Sequence, residues 1–132
     1  MITEDYVSFE VAKLLKEKGF IGDGEVGCRC GFYKQNKEYP SQIDLVYDDL
    51  NNFELEYNEC LRFTHQMIMK WLREVYNICI VISCDVCDSF DFYATIYIKG
   101  ESSWIHVDYI YVSKDYKQVA DSAIEYCLTN LI

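Results

Sequence analysis

Basic residues are missing from one long stretch of this chain. Between Lys37 and Arg62 there is no lysine or arginine, but seven acids fall there, from Glu38 to Glu59. Residues 1–37 hold six acids and six bases, so the remaining sixteen acids and six bases carry the whole net charge of −10. A surface of that sign repels phosphate backbones, which argues against nucleic-acid binding. It suits a basic protein partner, or simply solubility. Long apolar runs are missing too, and none approaches the length of a membrane span. No basic start followed by an apolar run marks a secretory signal, so the expectation is a cytoplasmic chain with no membrane partner. Histidine is scarce, with two in 132 residues. That leaves little from which to build a nucleophile beside a histidine and an orienting acid. A phosphate-binding loop is absent as well. Gly22, Gly24 and Gly27 have the wrong spacing, follow no strand, and enclose Asp23 and Glu25.

Hydrophobic residues are plentiful, at 51%, which is ample for the core of one domain and argues against disorder. Their periods define the elements. Ser8 precedes a helical stripe of Val11, Leu14 and Leu15, and Gly19 then Phe20 give the signature of a Schellman ending. Cys28–Gln35 and Gln42–Tyr47 can be strands, with a long acidic loop from Asp48 to Cys60 that is either functional or hides a short element. Thr64 caps a second helix over His65–Tyr76, with Ile68, Trp71, Leu72 and Val75 on one face and Asn77 as its stop. Three runs follow, Cys79–Val86, Phe90–Lys99 and Trp104–Val112. The second alternates strictly, with Phe90, Phe92, Ala94, Ile96 and Ile98 on one face. The links between the three are too short for crossover helices, so they form an antiparallel meander. Asp115 and Gln118 make a capping-box variant before a third helix, Tyr116 to about Leu131. Its stripe is Val119, Ala120, Ala123, Ile124, Cys127, Leu128 and Leu131.

The spacing therefore predicts one α+β domain over residues 1–132. An antiparallel sheet of three to five strands, including a C-terminal three-strand meander, packs against two or three helices.

Seven cysteines is an odd number, which fits free thiols in a reducing compartment better than a disulfide framework. Cys28, Cys30, Cys84 and Cys87 form the sharpest chemical constellation, a four-thiolate zinc site. Only the second pair has the usual spacing. The plainer expectation is no cofactor, with Cys84 beside Ile80, Ile82 and Val86 in the core and Cys87 in a turn. A thioredoxin-like role for that pair lacks the helix N-terminus such thiols use. Cys60 with His65 is the nearest approach to a small cysteine-dependent enzyme, but no motif supports it, and His65 reads as an exposed first-turn residue. Asp85, Asp88 and Asp91 crowd one turn, and Asp48, Asp49, Asn51, Asn52 and Glu54 another. Neither matches a calcium loop.

Tyr93, Tyr97, Tyr109 and Tyr111 read as strand residues, the first two on the polar face of the second meander strand. An uncovered sheet face would carry them as an aromatic patch. The expected interaction residues are Asp44, Asp48, Asp49, Glu54 and Glu56 in the acidic stretch, with Tyr93 and Tyr97 on the sheet. No catalytic residue is expected.

Three segments carry a resemblance. Glu4 to Glu10 with Ala12 to Phe20, Thr64 to Met67 with Met69 to Val75, and Ala120, Ala123, Tyr126 to Leu128 with Asn130 to Ile132 resemble an uncharacterised family of small proteins from gut bacteria and their phages. The match covers about a third of the chain, in its helices. It implies only an intracellular, phage or mobile-element setting, and it transfers no site residue. The expectation is a small acidic non-enzymatic interaction protein with an unidentified, basic protein partner, for which a homodimer is also compatible.

Overall fold

The computed structural model describes residues 5–20, 31–46, 56–87, 90–107, 109 and 111–132. The chain divides into two compact units, residues 1–64 and 65–132. Each combines helix with an antiparallel sheet, three-stranded in the first and four-stranded in the second. The α+β class follows the periodicity of the sequence.

In the first unit, helix α1 (Phe9–Glu17) begins where Ser8 Oγ accepts the Val11 N–H at 3.3 Å. It ends at Gly19, whose φ of +80° is a conformation only glycine adopts without strain. The Phe20 N–H donates to Leu15 O at 2.9 Å and the Gly19 N–H to Lys16 O at 3.1 Å, the paired bonds of a Schellman ending. Strand β1 (Phe32–Gln35) lies between β2 (Ile43–Val46) and β3 (Glu59–Leu61). The long acidic loop thus hides a short strand at its end. Val7, Val11, Leu15, Phe32, Leu61 and Phe63 form the core, and the Val7 N–H donates to Phe63 O at 2.9 Å. Lys16 Nζ donates to the carbonyls of Glu56 at 2.6 Å and Glu59 at 2.7 Å, tying α1 to the approach of β3.

The second unit opens with α2 (His65–Tyr76), and Asn77 at φ +57° turns the chain into β4 (Ile78–Cys84). Next come β5 (Phe92–Lys99), β6 (Trp104–Val107), β7 (Val112–Ser113) and α3 (Tyr116–Asn130). Strand β5 is the spine. One edge pairs with all of β4, from Ile78↔Ile98 to Cys84↔Phe92. The other edge pairs with β6, then with β7. Both helices contact β4 and each other, and α3 also contacts β5 and β7. They bury Ile78, Ile80, Ala94 and Ile96 beneath the α3 stripe of Val119, Ala120, Ala123, Ile124, Cys127 and Leu128.

Several expectations need correction. Val75 is 57% exposed, and the buried stripe of α2 is His65, Ile68, Met69 and Leu72. The helix is rotated so that Met69 and His65 replace Val75 and Trp71 against the core. His65 is therefore a core residue, 2% exposed, not a first-turn surface residue. Phe90 leaves the strand alternation. Its N–H donates to Asp85 O at 2.7 Å and the Asp85 N–H to Asp91 O at 2.8 Å. That tight turn holds Phe90 at φ +58° and leaves it 66% exposed. Val86 is equally exposed, so it does not join Ile80 in the core. The third meander run is two strands. Between Val107 and Val112 the pairing with β5 shifts register by two residues. Gln118 does not reach back to the Asp115 N–H. Asp115 Oδ1 accepts from Lys117 N–H at 3.0 Å, while Ser113 Oγ accepts the Asp115 N–H at 3.1 Å and donates to Gln118 Oε1 at 2.9 Å.

Candidate interaction face

The pleat decides which side chains meet the helices and which do not. Even-numbered residues of β4 and β5 face the helices. Odd-numbered ones, paired as Cys79↔Tyr97, Val81↔Thr95 and Ser83↔Tyr93, form the opposite face. Strand β6 extends that face with Trp104 opposite Lys99 and His106 opposite Tyr97, and β7 adds Val112 opposite Tyr93. Val81 and Tyr93 are each 40% exposed and Trp104 46%. Cys79, Val81, Tyr97 and Trp104 line a concavity of about 270 Å³. The Tyr97 ring meets His106 edge-on, with centroids 5.6 Å apart.

Tyr93 and Tyr97 thus lie together on this face, as alternation predicts. Tyr109 does not join them, because it falls in the break between β6 and β7 and its ring packs on Tyr126 at 4.6 Å. Burial pushes the Tyr109 hydroxyl up to about 12, with the nearby Cys127 thiol as the next cause. Tyr111 is half-buried and outside any strand. Trp104, Val81 and Cys79 were missed as site residues. The signal was available in the link Gly100–Ser103. A four-residue connection sets Trp104 beside Lys99, and hence on the Tyr97 face.

The acidic residues divide differently. Asp44 is exposed on β2, opposite Lys34. The Glu56 carboxylate lies 3.2 Å from Lys37 Nζ, and that hydrogen bond raises the Lys37 pKa. Glu59 is partly committed to local structure, since its Oε1 accepts the Glu56 N–H at 3.0 Å. Asp48, Asp49 and Glu54 lie outside the described residues.

Cys28 and Cys30 of the zinc constellation also lie outside them. Cys84 Sγ sits 3.6 Å from Phe90 O, and Cys87 is exposed in the turn. Asp85 Oδ1 accepts the Cys87 N–H at 3.2 Å, and Asp91 lies 3.7 Å from Lys114 Nζ. Among the described residues no group of three or more His, Cys, Asp or Glu is placed to hold a metal ion. Burial raises the Cys60 thiol against the pull of Lys16 and Lys13, and raises Cys127 up to about 12. Both are shifted away from the thiolate form. Among the described residues no helix is long and apolar enough to cross a membrane.

No family model, curated protein or solved structure matches the chain.

Proposed function

We propose that this chain is a non-enzymatic interaction module. It binds a protein partner through the odd-numbered face of the β4–β5–β6 sheet, and the acidic residues of the first unit favour a basic partner. The observation that carries this reading is the exposure of Val81, Tyr93 and Trp104 around an apolar concavity. Exposed clusters of tryptophan, tyrosine and aliphatic side chains mark interaction surfaces, and Trp and Tyr dominate their binding energy. Two further observations support a non-enzymatic role. His65 is taken up by Asp121 inside the core, and the Cys60 and Cys127 thiols are raised away from reactivity. The intracellular, phage or mobile-element setting rests on the resemblance of the three helical segments.

A photo-crosslinking amino acid placed at Tyr97 or Trp104 tests the reading in the source cell, with Lys117, exposed on α3, as the control position. The expected result is a discrete heteromeric product from the two face positions, lost on Val81→Asp. No product from the face, or the same product from Lys117, overturns it.

A further inference from the structure

Strand β4 is one edge of the second unit's sheet, and its hydrogen bonds can be assigned. At the two ends of the β4–β5 ladder, the Lys99 N–H donates to Asn77 O at 3.0 Å and the Asp85 N–H to Asp91 O at 2.8 Å. In an antiparallel pair such bonds recur at every second residue. Cys79, Val81 and Ser83 therefore bond inward to β5. Ile78, Ile80, Ile82 and Cys84 direct their N–H and C=O groups outward, and among the described residues β4 pairs with β5 alone.

Natural edge strands are shielded by charge, proline, a bulge or shortness. Strand β4 has seven residues, Ile-Cys-Ile-Val-Ile-Ser-Cys, with no charge and no proline, and its ladder with β5 has no bulge. In a chain of net charge −10 it is a segment free of acids. Its sequence is also nearly a palindrome about Val81. Ile80 mirrors Ile82, Cys79 mirrors Ser83 in size, and Ile78 mirrors Cys84 as an apolar residue.

We infer that β4 is a homodimer interface, pairing antiparallel with β4 of a second copy about a two-fold axis through Val81. A two-fold interface must be complementary to itself, and a palindromic strand satisfies that requirement. In this register Ile80 exchanges both backbone bonds with Ile82 of the second copy, and Ile78 with Cys84. Every outward group of the strand is used. The two Val81 side chains meet at the axis, and Cys79 lies beside Ser83 of the second copy. Beyond the strand, Asn77 meets Asp85 of the second copy, so no carboxylates are brought together. The two sheets join into one of eight strands. This inference concerns the edge, and stands whether or not the face binds a partner.

Sedimentation of the full chain across a dilution series tests it, with hydrogen exchange read residue by residue. The expected mass is about 31 kDa, twice the 15.6 kDa of the chain. Val81→Lys should halve it, because two ammonium groups would meet at the axis. Val81 is 40% exposed, so the variant should keep its fold. Amides of Ile80 and Ile82 should be protected in the dimer and lose protection on dilution, while those of Cys79 and Val81 stay protected. That exchange pattern is read on the unaltered chain and decides the matter even if the variant fails to fold. A monomer at all concentrations overturns the inference, whether its Ile80 and Ile82 amides exchange freely or are shielded within the chain. So does a dimer in which those amides exchange freely.

Discussion

His65 Nε2 lies 3.0 Å from Asp121 Oδ1, joining the first turn of α2 to the second turn of α3. A carboxylate can only accept, so Nε2 carries a proton, and Nδ1 is buried with no hydrogen-bond partner among the described residues. Replacing the ring by Ala removes a buried side chain and its hydrogen bond to Asp121. His65→Ala should cost roughly 2–4 kcal/mol of stability. Asp121→Asn keeps an acceptor but loses the charge, and should cost about 1 kcal/mol. Urea unfolding reads both. Losses below about 0.5 kcal/mol in each variant would show that the contact does not hold the helices together.

The buried thiol of Cys127 and the half-buried hydroxyl of Tyr109 make the fold sensitive to base. Their ordinary values of 9.0 and 10.0 are each raised to about 12, chiefly by burial. In the unfolded chain these groups ionise first. Between about pH 9 and 12 the unfolded state thus holds fewer protons than the folded one, and stability must fall as pH rises. Each group contributes at most about 1.4 kcal/mol per pH unit in that window. Urea midpoints measured from neutral to alkaline pH should decline, and Cys127→Ala should make the decline shallower. An equal slope in the variant would remove Cys127 as the cause.

The thiols give a separate test of the zinc alternative. We expect purified protein to carry no zinc and all seven cysteines to titrate in denaturant. In the native state Cys87 should react with an alkylating reagent well before Cys60 or Cys127, which are buried. About one equivalent of zinc, with four thiols protected until chelator is added, would instead assign Cys28, Cys30, Cys84 and Cys87 to a metal site.

The helices were legible because caps and stripes are local. Ser8, Gly19 and Asp115 act on backbone within three residues of themselves, and the α3 stripe of Val119 to Leu128 needs no knowledge of its partner. The faces of β5 were legible for the same reason. What the chain did not disclose depends on distant residues. His65 looked like a surface residue because its acid lies 56 positions away, although the spacing His65, Ile68, Met69, Leu72 is itself a helical stripe. Phe90 fits the strand alternation, yet two backbone bonds to Asp85 and from it decide otherwise. Trp104 became part of the face only through its register with Lys99.

The register shift along β5 has a consequence for cooperativity. Strand β6 is held by four pairings at one end of β5, and β7 by two at the other. Because the ladders are out of step, unzipping one does not propagate directly into the other. The β6 hairpin can fray with Trp104 while β7 stays seated. Ser113, at the end of β7, then keeps its hold on Asp115 and Gln118 at the start of α3. The aromatic rim of the face and the strand that leads into α3 are thereby seated on β5 by separate sets of pairings.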